Sequence, residues 1–194
     1  GTYRGAFFCA GTNVITDPED LTTANWTNFQ STDSKTYYNS GAYYYRGMMF
    51  TRIINSGDVS AAFYQAITFT VATPSFQCIA RRGDSDTFGL RIYDNTAAAI
   101  RGTITIDWTT NAITAAGGLI NLTYEWIDTD KKIVWIAGTA VGVVPANVNR
   151  IYIYPNWGNA TAAKYDYVTA VYADNNIYPV KYSKTSRATE NYCR

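Results

Sequence analysis

The chain has 194 residues, of which 47% are hydrophobic and 16% are charged, and its 16 basic and 15 acidic residues leave a net charge of +1. This length fits one domain with a substantial core, and the near-neutral charge gives no general attraction to nucleic acid or to an anionic membrane. Histidine is absent, which removes the commonest general base and the commonest zinc ligand. No apolar run is long enough for a membrane-spanning helix. From this and the near-neutral charge we expect no membrane partner and no nucleic-acid partner.

The first third of the chain predicts short strands separated by turns. Residues 1–11 indicate an N-terminal arm or strand, and Met48–Ile54 predicts a strand that follows a tyrosine-rich segment. In Ala61–Val71 the odd-numbered positions are apolar apart from Gln65, so this segment predicts one amphipathic strand.

The segment Phe76–Trp108 predicts a meander of three strands, at Phe76–Arg81, Thr87–Tyr93 and Arg101–Trp108. In the middle strand two aliphatic side chains alternate with an arginine and a tyrosine, because successive side chains point to opposite sides of a sheet. One side therefore belongs to a core and the other carries guanidinium and phenol groups to water. Arg82-Gly83-Asp84 matches the tripeptide that integrins bind, but a glycine between charged residues is also typical of a hairpin turn, which we favour.

The later strands recur at short, regular intervals, and none of the intervals has the 3.6-residue period of a helix. They are predicted at Leu119–Ile127, Ile133–Ala137, Asn149–Tyr154 and Tyr165–Tyr172. This pattern is typical of an all-β, two-sheet antiparallel β-sandwich. We expect a single domain over residues 1–194, with a polar tail at residues 186–194.

The three cysteines are too few for a disulfide framework and too dispersed for a zinc site. Cys9 and Cys193 lie near opposite ends of the chain, and chain termini are often close in space, so a bridge between them is one alternative. Cys78 lies in a predicted strand and is expected to be a small buried side chain.

Outward-pointing aromatic and polar side chains are candidates for ligand binding. Sugars need flat apolar surfaces for their rings, with planar donors and acceptors for their hydroxyl groups. If their strands are neighbours, the predicted outward residues share one face: Gln77, Arg81, Arg91, Tyr93, Tyr152, Tyr154, Tyr165 and Tyr167, with Trp157 on the adjoining loop. The alternative is that they form ordinary cross-strand pairs that stabilise an exposed sheet. The remaining tryptophans are expected in the core: Trp26, Trp108, Trp126 and Trp135.

Two pairs of carboxylates have the spacing found in calcium loops, at Asp84-Ser85-Asp86 and at Asp128-Thr129-Asp130. Neither continues into the twelve-residue EF-hand pattern. We expect no organic cofactor and keep a structural calcium ion as a candidate, with its ligands unassigned. No catalytic residues are predicted.

Taken in order, seven segments resemble the jelly-roll domains of the carbohydrate-binding-module type that occur in phage tail-fibre, virion and polysaccharide-degrading proteins. They are DLTTANW (Asp20–Trp26), FYQAITFT (Phe63–Thr70), FQCIARRGD (Phe76–Asp84), LRIYD (Leu90–Asp94), TIDWTTNAI (Thr105–Ile113), KIVWIAGTA (Lys132–Ala140) and VYADNNIYPVKYSKT (Val171–Thr185). The resemblance implies a jelly-roll sandwich without catalytic activity, located outside the cell or on a virion, that binds a glycan or serves as a virion appendage.

The sequence therefore supports one main hypothesis and two alternatives. The main one is a non-catalytic carbohydrate-binding module that recognises a polysaccharide or a cell-surface glycan. The first alternative is a structural tail-fibre or capsid-decoration domain whose tyrosines pack against neighbouring subunits. The sequence leaves open whether the chain forms a homo-oligomer. The second alternative is a lyase that uses tyrosine and arginine, since that chemistry does not require histidine.

Overall fold

The structure is a computed structural model that describes residues 13–30, 35–38, 44–45 and 48–179, with side chains described for residues 13–30 and 49–179. The expected N-terminal arm (1–11) and polar tail (186–194) lie outside the described residues, and so do Cys9 and Cys193, for which a bridge is one alternative. In the described ranges the chain forms thirteen strands and no helix, so no described helix could cross a membrane.

The strands have between two and ten residues, and the last one in the chain is the longest. They are β1 (Thr27–Phe29), β2 (Lys35–Tyr38), β3 (Tyr44–Tyr45), β4 (Met48–Ile54), β5 (Ala62–Thr68), β6 (Ser75–Arg82), β7 (Thr87–Asp94), β8 (Ala99–Asp107), β9 (Ala112–Ala116), β10 (Ile120–Asp128), β11 (Ile133–Thr139), β12 (Val148–Pro155) and β13 (Tyr165–Asp174).

The strands form two antiparallel sheets, which confirms the predicted all-β sandwich. Sheet A has six strands in the order β1-β5-β12-β7-β8-β9, and sheet B has seven in the order β10-β11-β6-β13-β4-β2, with β3 paired to β4. The last two strands are inserted between earlier ones: β12 lies between β5 and β7, and β13 lies between β6 and β4.

The core lies between the sheets and is built from alternate positions of each strand. Leu90 and Ile92 of β7 share the inner side of sheet A with Ile104 and Ile106 of the neighbouring strand β8, and all four are fully buried. Trp108 extends this core, and its ring centroid lies 6.3 Å from those of both Phe88 and Trp126. Cys78 is buried in the same cluster, as predicted.

The buried Gln65 interrupts the apolar side of β5 for a specific reason. Its amide oxygen accepts a hydrogen bond from the backbone N–H of Thr16 (2.7 Å), and its amide nitrogen donates to the carbonyl oxygen of Thr16 (2.8 Å). One side chain therefore satisfies both backbone groups of the segment that precedes β1. A buried polar group is tolerated when it is paired in this way.

The predicted three-strand meander is wrong in its first strand. β7 pairs with β8 and β8 with β9, but β6 belongs to sheet B, so residues 83–86 cross from one sheet to the other. The backbone N–H groups of Asp84 and Ser85 both donate to the carbonyl oxygen of Tyr165. A Cβ atom on Gly83 would overlap Tyr165, so glycine is required there by close packing in the crossover and not by a hairpin turn.

Candidate functional site

The nine residues predicted to share one face lie on two opposite faces of the sandwich. Five lie on the outer side of sheet A: Arg91, Tyr93, Tyr152, Tyr154 and Trp157. Four lie on the outer side of sheet B: Gln77, Arg81, Tyr165 and Tyr167. The condition for a single face was that the strands are neighbours, and it fails because β6 and β13 belong to sheet B.

The outer side of sheet A carries a continuous row of aromatic rings. We call it the aromatic face, and it consists of Phe29, Tyr64, Tyr93, Tyr152, Tyr154 and Trp157 with Arg91 and Arg150. Tyr152 is its centre, with ring centroids 5.2 Å from Tyr64, 5.5 Å from Phe29, 5.7 Å from Tyr154 and 6.2 Å from Tyr93. These distances fall in the range of favourable aromatic pairs.

Sequence reasoning missed Phe29, Tyr64 and Arg150. The alternation of β12 places Arg150 on the same side as Tyr152, and the alternation of β5 places Tyr64 opposite Phe63, so both outward positions were visible in the pattern. Phe29 had no such signal, because its strand has only three residues.

The two central tyrosines form the floor of the aromatic face. Tyr152 and Tyr154 are each only 5% exposed, because neighbouring rings cover them. Burial raises the pKa of Tyr154 to about 12, so its hydroxyl stays neutral. The rings that reach the surface are the partly exposed ones: Phe29, Tyr64, Tyr93 and Trp157.

Arg91 is held in place by three groups on the face. Its Nε donates to Thr103 Oγ1 (3.2 Å), and its Nη1 donates to the hydroxyl of Tyr154 (3.3 Å). Its guanidinium carbon lies 4.3 Å from the ring centroid of Trp157, which is a cation–π distance. The side chain is partly exposed, so the guanidinium is available to a ligand.

Arg150 is held similarly on the other side of Tyr152. Its Nη1 donates to the hydroxyl of Tyr152 (3.0 Å), and its guanidinium carbon lies 4.5 Å from the ring centroid of Tyr64. The hydrogen bond to Tyr152 is the main reason that the pKa of Arg150 lies above its ordinary value. Arg150 is also partly exposed.

The position of Trp157 depends on the strand beneath it. A Cβ atom on Gly89 of β7 would lie 2.8 Å from the Trp157 ring, so the ring packs directly on the backbone at this glycine. Thr87 Oγ1 donates to the carbonyl oxygen of Trp157 (2.7 Å) and fixes the loop that follows β12. The Trp157 ring meets Tyr154 edge to face, with centroids 4.1 Å apart.

The outer side of sheet B is more closed. Arg52 lies over Tyr165 at 4.0 Å and Arg81 over Tyr167 at 5.4 Å, while Trp135 Nε1 donates to Gln77 Oε1 (2.6 Å). Trp135 and Tyr167 belong to an apolar cluster that is buried on this face: Phe50, Ile79, Ile133, Trp135, Ala137, Tyr167 and Ala170. Trp135 is therefore buried as predicted, but on the outside of sheet B and not between the sheets. We take the aromatic face of sheet A as the candidate site.

The predicted calcium loops use their carboxylates locally. Asp84 accepts a hydrogen bond from the backbone N–H of Tyr165, Asp86 pairs with Arg82 at 3.6 Å, and Asp128 accepts from the backbone N–H of Lys131. Within residues 13–30 and 49–179, no group of three or more acidic or cysteine side chains could hold a metal. The structural calcium ion stays a prediction without assigned ligands.

Solved structures share this fold at low sequence identity. The CBM22-1 xylan-binding domain from Paenibacillus barcinonensis Xyn10C has a TM-score of 0.51 and 11% identity, covering 86% of this chain and 96% of that one. The CBM22-1-GH10 modules of Clostridium thermocellum xylanase 10B, complexed with xylohexaose, have a TM-score of 0.51 and 15% identity over 85% of this chain and 29% of that one. An arabinose-bound GH51 α-L-arabinofuranosidase has a TM-score of 0.50 and 12% identity over 84% and 25%.

The sequence itself matches no protein-family model and no curated protein. The chain spans nearly all of the isolated xylan-binding domain but only a quarter to a third of the two enzyme chains. The chain therefore shares its fold with these carbohydrate-binding modules, as the resemblance implied.

Proposed function

We propose that this chain is a non-catalytic carbohydrate-binding module that holds a polysaccharide or a cell-surface glycan on its aromatic face. The observation that carries the proposal is the continuous row of aromatic rings on the outer side of sheet A, flanked by two guanidinium groups. An extracellular or virion location goes with this role.

The chemistry of the face suits a sugar chain. The partly exposed rings offer apolar surface to the C–H groups of a pyranose, and phenol and guanidinium groups at their edges can bond its hydroxyls. The buried Tyr152 and Tyr154 support these rings from below and limit their freedom to move. A preorganised surface loses less conformational entropy when it binds.

The shared fold supports the same proposal. The solved structure that this chain covers almost completely is described as a xylan-binding domain. At 11% identity the match supports the architecture, so the choice of sugar has to come from this chain's own side chains.

A polysaccharide screen by affinity electrophoresis tests the proposal, with and without a calcium chelator. We expect Trp157→Ala and Tyr93→Ala each to weaken binding about tenfold or more, as the loss of central aromatic contacts commonly does. Tyr124→Ala is the matched control, because Tyr124 is 50% exposed on β10 of the other sheet and should leave binding unchanged. Urea unfolding of each variant separates lost contacts from lost folding.

Three results would contradict the proposal. Loss of binding in Tyr165→Ala but not in Trp157→Ala would move the site to sheet B. A stable oligomer in light scattering with no glycan retained would favour a structural role in which the aromatic face packs against other subunits. New reducing ends or unsaturated products would reveal catalytic activity.

A further inference from the structure

The two guanidinium groups of the aromatic face have no acidic partner among the residues that the structure describes. Two other arginines do pair with carboxylates: Arg101 lies 3.1 Å from Asp94, and Arg82 lies 3.6 Å from Asp86. Among residues 13–30 and 49–179, Arg91 and Arg150 make their contacts with hydroxyl groups and aromatic rings only.

Donor capacity is left over on both side chains. A guanidinium has five N–H groups and cannot lose its proton in a protein. Arg91 donates through Nε and Nη1, and Arg150 donates through Nη1, so the Nη2 atom of each has no partner among the described side chains. Two positive charges and several unused donors therefore remain on a face that is otherwise aromatic.

The carboxylate at the margin of this face is already engaged. Asp107 lies opposite Thr87 at the end of β8 and accepts hydrogen bonds from the backbone N–H groups of Thr109 and Thr110. Those hydrogen bonds are the main reason that its pKa lies below its ordinary value. It stabilises the turn after β8 and makes no ion pair with Arg91.

The two charges are spread across the face. Arg91 lies directly across from Tyr152 on the neighbouring strand, and Arg150 lies two residues before Tyr152 on the same strand. The two arginines are therefore diagonal to each other. The Arg150 guanidinium lies over the ring of Tyr64 on β5. The Arg91 guanidinium lies near the ring of Trp157 and bonds Thr103 of β8. The two guanidinium groups therefore lean towards opposite edges of the sheet.

From this arrangement we infer that the aromatic face selects glycans that carry oxyanion groups, either uronic-acid carboxylates or sulfate esters, over neutral glycans. The inference rests on the proposed function and names its ligand class. Arginine forks match planar or tetrahedral oxyanions with paired hydrogen bonds, and two separated forks can bind charged groups on different sugars of one chain.

Matched ligand pairs test the inference, because each pair differs in charge and not in backbone. Polygalacturonate should bind at least about tenfold more tightly than its fully methyl-esterified form in low salt, and the difference should shrink as salt is added. Chondroitin sulfate against desulfated chondroitin separates the two sources of charge. Equal binding of these two identifies the carboxylate, and a loss on desulfation identifies the sulfate.

Arginine variants test whether Arg91 and Arg150 carry the charge selectivity. Arg91→Gln and Arg150→Gln should each weaken binding of the charged glycan about tenfold more than they weaken binding of the neutral one. Arg91→Lys should fall between Arg91→Gln and the unmodified protein, since it keeps the charge but loses the fork. Lys131→Gln is the control for net charge, because Lys131 lies in the β10–β11 turn beside Asp128, away from the aromatic face.

The outcomes separate the two proposals. Equal binding of polygalacturonate and its ester, with both lost in Trp157→Ala, would overturn the charge selectivity and leave glycan binding standing. Failure to bind any glycan, charged or neutral, would overturn both. Retention of a single-stranded oligonucleotide in place of every glycan would also overturn both, because aromatic and arginine side chains can stack on bases.

Discussion

Two buried aspartates have opposite electrostatic surroundings. Burial raises the pKa of Asp94, but hydrogen bonds from Ala97, Asn147 and Arg101 outweigh it, so the pKa lies below its ordinary value. Asp166 accepts hydrogen bonds from Ser85 and from backbone N–H groups, but burial outweighs them and raises its pKa to about 7. Asp166 therefore changes its charge near neutral pH.

Asp166 should make the protein less stable as pH rises through neutrality. Its pKa is about 3.9 when unfolded and about 7 when folded, so between these values the folded state holds a proton that the unfolded state has lost. From about pH 5 to about pH 8 the free energy of unfolding should fall by roughly 2–3 kcal/mol from this group. Urea unfolding at both pH values measures it.

The matched variant is Asp166→Asn, which keeps the size and one carbonyl oxygen but cannot titrate. It should lose most of this slope, whatever its absolute stability. An unchanged slope in Asp166→Asn would show that Asp166 is ionised throughout this range.

Removing Asp94 should be costly for another reason. Asp94→Ala leaves Arg101 without its carboxylate and Asn147 without its acceptor, next to the loop that joins β7 to β8. Breaking a buried pair on one side costs roughly 3 kcal/mol. Asp130→Ala, on an exposed turn, is the control and should cost less than about 0.5 kcal/mol. Equal losses in both variants would mean that the buried pair adds no stability.

At the scale of the strand, alternation predicted which side chains face the core but not which sheet they face it from. In β7 and β12 the inward aliphatic and outward aromatic positions are confirmed. The same alternation in β6 is compatible with either sheet, because both sheets bury one side of each strand in a shared core. The crossover that puts β6 in sheet B is marked by the hydrogen bonds of Asp84 and Ser85 to Tyr165. This contact joins distant parts of the chain, and no local pattern encodes it.

The sequence pattern also gave no sign of an irregularity in the pairing of β13 with β6. Between Thr169 and Tyr172 the pairing of β13 with β6 shifts, and Ala170 has a positive φ of 51°. Strict alternation would put Tyr172 on the same side of β13 as Val168, but the bulge turns it to lie opposite Gln77 on the outer side.

The contact between β7 and the loop after β12 gives a prediction at this scale. Gly89→Ala should displace the Trp157 ring and cost about 1–3 kcal/mol of stability, as overpacking does, and it should weaken glycan binding as well. In a Trp157→Ala background the same change should cost much less, because the clash is gone. A double-mutant cycle by urea unfolding measures the coupling, and additive losses would show that the two residues do not clash.

At the scale of the whole molecule, strand order explains why part of the candidate site was predictable. Arg91, Tyr152 and Trp157 come together because β7 and β12 are adjacent in sheet A. Tyr165 and Tyr167 have the same outward pattern, yet they lie on the opposite face because β13 is inserted into sheet B. A sequence can show that a side chain points outward without showing on which of the two outer faces of the sandwich it lies.

The open alternative of a bridge between Cys9 and Cys193 can be tested through the third cysteine. Cys78 is fully buried and burial raises its thiol pKa, so iodoacetamide should leave it unmodified in the folded protein. After unfolding without reductant, a bridged chain should take up one label by mass spectrometry, and after reduction three. In Cys78→Ala the unreduced, unfolded chain should take up none. Three labels before reduction would exclude the bridge.

The late position of β12 and β13 in the chain has a consequence for biosynthesis. Until these strands leave the ribosome, sheet A exists only as β1-β5 and β7-β8-β9, and sheet B only as β10-β11-β6 and β4-β2 with β3. The nascent polypeptide therefore carries four unjoined half-sheets, each with open edges that can pair with other chains. A translation product that stops before Val148 has no route to the native state and is a natural target for chaperones and proteases.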